Sequence, residues 1–419
     1  MAFSIIKRFP FRKYSPTFIW GAIQDYITGG IILKIFFPVI LGLIFIIACS
    51  PSHAVDNNTD CNGTPDHLNR SYYLDSYQEL LKGAVKNNTR IRNHLYKRYT
   101  STGDRRYYQA YIDAGYAVKL FSGIKSKRAL RSDEKIIEIK TIQANNAYYS
   151  RKLSPSDTIV IVFNSRACQF RNMPVPEFRS NLPFVYYKSR GWHIYPVTTS
   201  NLAGGCRNTS DFLEVMDEQK LTVSFRTYRG MRYAVFPMYF DYHGSGTGWL
   251  DSFAQGNLAG HYARAYNLTG NRGYLDLSNS LINSFYAPTG LVKPTTYGNF
   301  YLHYNFMREH YILNAHLICT LGLHTAYSYT GNSRALNLFR TGVSTFRRMN
   351  WRFDSGRWTY YAVSGRYYKP AWLASESYHR LHVQLANRVW KATGDSYYRS
   401  VALRWNSYLE RKGLRPERI

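Results

Sequence analysis

A Thr-Gly-Asn/Asp triplet recurs through the second half of this chain, at Thr269-Gly270-Asn271, Thr330-Gly331-Asn332 and Thr393-Gly394-Asp395. Its glycines lie 61 and 63 residues apart. Each triplet stands between stretches whose apolar residues recur every three or four positions, as in LAGHYARAYNLTGNRGYLDLSNSLI. Glycine ends a helix readily because it enters the left-handed region, and Asn or Asp supplies the oxygen that opens the next helix. This spacing restricts the chain to helical hairpins joined by longer return segments, and such units bury their faces against their neighbours. A weaker copy, Thr102-Gly103-Asp104, sits in the N-terminal helical segment.

The expected fold is mixed β plus α, with a β-rich middle domain followed by an α/α toroid-like domain of helical hairpins, closed or incomplete. Residues 1–50 read as a cytoplasmic segment with a signal anchor or signal peptide, 51–70 as a linker and 71–130 as helical. Residues 131–240 read as β-rich, because KIIEIKTI, DTIVIVF, LPFVYY, GWHIYPV, KLTVSF and MRYAVFPMYF alternate or are β-branched between turn residues. Residues 241–415 form the α/α domain. In a toroid the return loops gather at one end and line a cavity.

The leader constrains location. Residues 35–49, IFFPVILGLIFIIAC, carry no charge. Lys7, Arg8, Arg12 and Lys13 precede them, and Asp56, Asp60 and Asp66 follow. That balance keeps the N-terminus inside and sends the rest out. A signal anchor is the first expectation; a cleaved signal, or a lipoprotein signal ending at Cys49, is the alternative. Either places the remainder outside the cytosol, in a periplasm, on a cell surface, in a secretory lumen or secreted.

Lys and Arg number 54 against 26 Asp and Glu, a formal charge of +28. Such a field attracts polyanions. The chain has no Cys/His finger, RNP-type strand or basic zipper, so nucleic acid is not the expected partner. Anionic lipid and acidic polysaccharide stay open as partners, and the 38 tyrosines suit a sugar polymer, each offering a flat apolar face and a hydroxyl. The five cysteines form no CxxC pair, so no structural zinc is expected. Cys168 and Cys206 could pair in an exported chain. Six N-x-S/T sequons occur.

The polar and aromatic return segments hold the candidate site. They contribute Tyr301, His303, Tyr304, Arg308, Arg357, Tyr361, Glu376, Tyr378, His379 and His382, with Trp249, Gln255 and Asn314 at the first turns of the hairpins. His379 and His382 share a helix face, but no third ligand is indicated and no metal is expected. Asp251, Asp354, Glu309 and Glu376 leave a hydrolytic carboxylate pair open.

Residues 235–415 resemble the C-terminal domain of the D-glucuronyl C5-epimerases. The resemblance is carried by GWLDSFAQG at 248–256, RAYNLTGN at 264–271, YLHYNFMREHYILNAHL at 301–317, LGL at 321–323, FDSGRWTYY at 353–361, SYHRLHVQL at 377–385 and RWNSYL at 404–409. It implies C5 epimerisation of uronate residues within a polysaccharide, with no metal or organic cofactor. It places the activity-bearing tyrosines on Tyr304, Tyr361 and Tyr378. The remaining candidates, Trp249, Gln255, Tyr301, Arg308, Asn314, Arg357, Glu376, His379 and His382, become substrate-binding. One departure matters: the family reads Tyr-Glu-Glu-Tyr-Pro, whereas this chain reads Tyr301-Leu302-His303-Tyr304-Asn305. His303 thus replaces a glutamate, and is expected to take over its part. An inactive glycan-binding relative, a lyase and a hydrolase remain the alternatives, and a homodimer is left open.

Overall fold

The computed structural model describes residues 68–164, 168, 170–364 and 371–419. The leader and most of the linker lie outside the described residues. None of the described helices is long and apolar enough to cross a membrane.

Four helices come first: α1 (Arg70–Asp75), α2 (Tyr77–Thr102), α3 (Arg105–Lys125) and α4 (Ser132–Tyr149). A small sheet follows, built from β1 (Val160–Val162), β2 (Arg171–Asn172), β3 (Pro183–Tyr187) and β4 (Gly191–Ile194) in the order β2-β1-β3-β4. Then come α5 (Pro196–Gly205), α6 (Thr209–Lys220) and the antiparallel hairpin β5 (Ser224–Tyr228) and β6 (Met231–Val235). The middle segment is therefore mixed rather than β-rich. A disulfide joins Cys168 to Cys206 and ties the β1–β2 connection to the end of α5.

KIIEIKTI, expected as a strand, lies inside α4. Fifteen of that helix's 18 residues are buried, so no amphipathic helical period shows in its sequence. Its charges are paired inside the protein instead. Glu138 accepts from Tyr77 at 2.6 Å and meets Lys125 at 2.8 Å, and fully buried Lys140 meets fully buried Glu218 at 2.7 Å. Asn145 donates to the Trp192 carbonyl at 2.9 Å, holding α4 against β4. Asn88 is also sealed, bonded to the Ala114 carbonyl and Asn146, while Asn87, the acceptor position of the Asn87-Asn88-Thr89 sequon, stays exposed.

The C-terminal part consists of three hairpins: α7 (Ser252–Thr269) with α8 (Arg272–Asn283), α9 (Leu313–Thr330) with α10 (Ser333–Met349), and α11 (Glu376–Thr393) with α12 (Ser396–Arg411). Helix α7 packs on α9, and α9 on α11, while α8, α10 and α12 each pack on their hairpin mates. This arc of hairpins is the toroid-like element. The return segments carry β7 (Val292–Thr295), β8 (Gly298–Tyr301), β9 (His310–Ile312), β10 (Tyr360–Ser364) and β11 (Trp372–Leu373). β9 pairs antiparallel with β10, Ala362 opposite Ile312, so two successive returns meet at one end of the arc.

The turn chemistry is the same in all four copies. Gly103, Gly270, Gly331 and Gly394 have φ of 67° to 71° and donate to the carbonyl four residues back. The following Asp104, Asn271, Asn332 and Asp395 accept backbone N–H groups of the next helix. The preceding threonine hydroxyl accepts from that cap residue's own N–H at 3.2 to 3.3 Å. The N-terminal copy is as complete as the other three.

Where α7 crosses α9, three glycines let the backbones touch. A Cβ on Gly322 would strike the Gly256 carbonyl, and one on Gly260 would come within 2.7 Å of the Gly322 carbonyl. A Cβ on Gly331 meets nothing within 4 Å. Alanine at the two positions should therefore act differently. Gly331→Ala should cost about 1–2 kcal/mol from backbone conformation alone, most of it recovered by Asn. Gly322→Ala should cost about 1–3 kcal/mol or more by forcing the helices apart, with no recovery by Asn. Equilibrium denaturation checks both; recovery by Asn at position 322 would contradict the packing account.

Candidate active site

The candidate site lies where α7, α9 and α11 begin. Each of these helices starts directly from a return segment, so residues just before or inside the first turns converge. Asp251 caps α7, its carboxylate accepting from the Phe253 N–H at 2.7 Å. Tyr378 stands in the first turn of α11, and Tyr361 comes from β10. His303 and Tyr304 come from the segment between β8 and β9.

That segment is pinned on both sides of His303. The Ser252 N–H donates to the Leu302 carbonyl at 3.0 Å, and the Asn305 N–H donates to the Leu250 carbonyl at 3.1 Å. The Asn305 side chain accepts from the Leu250 N–H and donates to the Thr289 carbonyl, each at 2.9 Å. Residues 302–305 are thus laid alongside 250–252, which sets His303 against Asp251. Their Nδ1 and Oδ2 atoms are 2.6 Å apart, with Asp251 fully buried and His303 7% exposed. The contact is close but lacks the alignment of a well-directed hydrogen bond. Burial raises the Asp251 carboxyl above its usual range, and His303 works in the opposite direction.

Aromatic rings form the wall. The His303 and Tyr304 rings are 4.3 Å apart between centroids. Tyr304 packs on Tyr242 at 5.4 Å and on Trp249 at 5.8 Å. Tyr242 lies 6.0 Å from Tyr187, and Trp249 lies 6.1 Å from Tyr195. Tyr361 and Tyr378 lie 4.5 Å apart and are hydrogen-bonded through their side chains. Burial pushes the hydroxyls of Tyr195, Tyr304 and Tyr361 well above the ordinary tyrosine value, and neighbouring tyrosines add to the shift. Tyr361 is felt by Tyr304 and Tyr195, and feels Tyr242 and Asp251, so the two tyrosine groups share one electrostatic environment. These hydroxyls are neutral at physiological pH, good donors and poor bases unless a neighbour takes the proton.

The structure brings together His303, Tyr304, Tyr361, Tyr378 and Trp249 from the expected set. Gln255 and Asn314 sit in the first turns of α7 and α9 but are sealed from solvent. Gln255 Oε1 and Asn314 Oδ1 have no hydrogen-bond partner among the described residues.

Other expected substrate contacts do structural work. Tyr301 is fully buried and donates to the Leu338 carbonyl at 2.6 Å. Arg308 points to the Gly290 and Val292 carbonyls and closes a loop. Glu376 pairs with Arg380 at 2.9 Å. Arg357 is exposed in a turn. His379 stacks on Trp358 at 3.7 Å and contacts Thr359 and the Trp405 carbonyl, while His382 contacts the same Thr359 hydroxyl. Both histidines are fully buried, so their shared face is a core contact between α11, α12 and the preceding turn. Among the described residues no group of three or more His, Cys, Asp or Glu side chains is arranged to hold a metal ion.

Sequence reasoning passed over Tyr187, Tyr195 and Tyr242, which come from β3, the start of α5 and the segment before α7. Only the density of tyrosine in the middle segment hinted at them. Asp251 was read as a spare carboxylate rather than as the partner of His303.

A separate cleft of about 560 Å³ is lined by Lys293, Tyr297, Glu309, Tyr311 and Arg352 among others. Lys293 and Glu309 neutralise each other across it at 2.6 Å. It holds none of the converging tyrosines, so the chemistry is placed at the helix starts instead.

Residues 229–407 match the family described as D-glucuronyl C5-epimerase C-terminus. An uncharacterized protein of Methanocaldococcus jannaschii is 28% identical over 177 residues, which cover 41% of this chain and 54% of that protein. The chain thus spans about half the length of that relative. Among solved structures, an inactive variant of an alpha-1,6-mannanase from a Salegentibacter species is similar with a TM-score of 0.38 and 10% identity, over 53% of this chain and 62% of that one. The cellobiose 2-epimerase of Spirochaeta thermophila is similar with a TM-score of 0.31 and 14% identity, over 39% of this chain and 43% of that one. Both structural likenesses are loose.

The buried histidines have a consequence for stability. Burial lowers His193, His316 and His379 from 6.5 to about 4. Between those values the unfolded chain binds more protons than the folded one, so stability rises with pH across that window and falls on acidification. Each such histidine should contribute about 1.4 kcal/mol of loss per pH unit there. Urea midpoints measured from pH 7 down to pH 4.5 should drop progressively. A flat profile would mean these rings are protonated in the fold.

Proposed function

Since residues 229–407 belong to the D-glucuronyl C5-epimerase C-terminus family, we propose that this chain epimerises uronate residues at C5 within an acidic polysaccharide. The observation that carries the reading is the group of half-buried tyrosines that share one electrostatic environment beside the Asp251–His303 contact. The proposed reaction uses no metal or organic cofactor. The proposed setting is an extracytoplasmic compartment reached through the N-terminal apolar segment.

C5 is the carbon α to the uronate carboxylate. Removing its proton gives an ene-diolate-like species, and epimerisation returns a proton to the opposite face. A neutral tyrosine serves as base only if its own proton leaves. In the proposed first step Tyr304 passes its hydroxyl proton to His303, and the resulting phenolate takes the C5 proton. The imidazolium so formed faces the Asp251 carboxylate. Tyr361 or Tyr378 then donates its proton to the other face of C5, which breaks an O–H bond and restores the C–H bond. The proton on His303 must return to that phenolate to reset the site. Of the carboxylates open to a hydrolytic reading, Glu309, Glu376 and Asp354 are engaged with Lys293, Arg380 and Arg404 respectively. That leaves Asp251 without a ready partner among those four carboxylates.

Incubating the protein with a glucuronate-containing polymer in deuterated water should place deuterium on C5 without cleaving the chain. Ultraviolet-absorbing unsaturated ends would indicate a lyase, new reducing ends a hydrolase, and neither product a binder. Tyr304→Phe should lower exchange on the order of 10²-fold or more while leaving polymer binding nearly unchanged. Wild-type exchange in that variant would remove Tyr304 from the mechanism.

Asp251→Asn separates charge from structure, because Asn caps a helix as well as Asp does. Its melting temperature should stay close to wild type. Its exchange rate should fall on the order of 10²-fold or more, since an amide cannot balance an imidazolium. Full activity would show that the contact is structural only.

A further inference from the structure

We propose that the α2–α3 hairpin carries a second binding surface for the acidic polysaccharide, a tyrosine and arginine platform that holds the polymer beyond the sugar undergoing reaction. The ligand class rests on the function proposed above; the surface itself is an independent observation.

Four tyrosines close a ring on the outside of this hairpin. Centroid distances are 6.2 Å from Tyr96 to Tyr99, 5.0 Å from Tyr99 to Tyr108, 6.1 Å from Tyr108 to Tyr111 and 5.3 Å from Tyr111 back to Tyr96. Tyr96 is 47% exposed and Tyr108 is 43% exposed. Large aromatic rings left this open, and adjoining one another, are a surface that burial alone does not explain.

The charge around them has one sign. Between residues 90 and 112 the chain carries six Lys and Arg and a single acid, Asp104. Asp104 is already paired with Arg106 at 2.7 Å. Lys97, Arg98 and Arg105 are exposed and form no salt bridge among the described residues. Arg92 lies over the Tyr111 ring at 4.4 Å, and Arg98 over Tyr107 at 5.4 Å. A guanidinium lying on an aromatic face is pre-organised to take a carboxylate with two parallel hydrogen bonds. The flat faces beside it suit the C–H faces of pyranose rings. Carboxylates at regular intervals along a sugar polymer match that combination; a neutral glycan would leave the cations unused.

The platform is physically joined to the rim of the candidate site. Gln109, next to Tyr108, reaches Ser189 at 3.5 Å, and Tyr116 accepts from the Asp241 N–H at 3.2 Å. Ser189 follows Tyr187 by two residues, and Asp241 immediately precedes Tyr242. Arg190 and Asp241 stand 3.9 Å apart between them. Eight residues of helix separate Tyr108 from Tyr116, about 12 Å along the axis. A polymer of several sugars covers that interval, so one chain can engage the platform and the site together.

The test compares polymer length, using the full protein. The probes are an unsulfated polymer of glucuronate and N-acetylglucosamine, its tetrasaccharide, and phosphatidylserine vesicles. The variant combines Arg98→Gln, Arg105→Gln and Tyr108→Ala, all at exposed positions outside the catalytic cluster. Its Kd for the polymer should rise about tenfold, as expected for losing a few exposed cation and ring contacts. Tetrasaccharide binding should not change. The milder pair Arg98→Gln and Arg105→Gln should give an intermediate loss, which guards against a folding defect in the triple variant. An unchanged polymer Kd would overturn the proposal, as would equal weakening of polymer and tetrasaccharide, or failure of the wild type to bind the polymer. Loss of vesicle binding with polymer binding intact would reassign the surface to a membrane. Deuterium exchange on the tetrasaccharide reads the epimerase assignment separately. Its absence, beside a length-dependent binding loss, would sink that assignment and leave the platform standing.

Discussion

The backbone contact between α7 and α9 decides the geometry of the rest. Gly256 and Gly260 on one helix face Gly322 on the other, so close that a single Cβ would strike a carbonyl. Helices with ordinary side chains at a crossing stand 8–10 Å apart; glycines permit a tighter approach. Both helices begin at the same end of the arc, so the tight crossing brings Asp251, which caps α7, close to the returns that feed α9 and α11. The pinning of 302–305 against 250–252 depends on that proximity.

Desolvation then sets what the converging groups can do. A tyrosine in water gives up its proton near pH 10, and these lie higher because burial disfavours the phenolate and other hydroxyls crowd around it. The cluster is therefore a store of neutral donors, suited to delivering a proton and to bonding a developing oxyanion. Its weakness is on the basic side. The Asp251–His303 contact is the part of the wall that can accept and hold a proton, and it lies against the Tyr304 ring.

How much of this was legible in the chain depends on the range of the interaction. The Thr-Gly-Asx turns were legible because every contact in them lies within about five residues, and the fourth copy at Thr102 obeys the same chemistry. Helix α4 was not, because KIIEIKTI owes its conformation to Glu138 and Lys140 finding Tyr77, Lys125 and Glu218 far along the chain. Tyr304, Tyr361 and Tyr378 were named through family likeness. Tyr187, Tyr195 and Tyr242 arrive from three elements whose assembly no local pattern announces. His379 and His382 show the opposite error: their spacing is that of a site, yet Trp358, Thr359 and Trp405 make them core.

Residues 302, 303 and 305, where the resemblance implies Glu, Glu and Pro, fit one another in the structure. A glutamate beside the key tyrosine carries its own negative charge and needs no anion behind it. A histidine in that place becomes a cation when it accepts a proton, and a buried cation needs a counter-charge. Asp251 stands 2.6 Å from it. Leu302, fully buried where the family has a second glutamate, keeps another carboxylate out of the space. Asn305, where the family has proline, supplies two side-chain hydrogen bonds that fasten the segment to Leu250 and Thr289. A proline there could make neither of those bonds, and it lacks the backbone N–H that Asn305 donates to the Leu250 carbonyl. On the proposed mechanism, a histidine at 303 is thus accompanied by the Asn305 anchor, an apolar buried Leu302 and a counter-ion in Asp251.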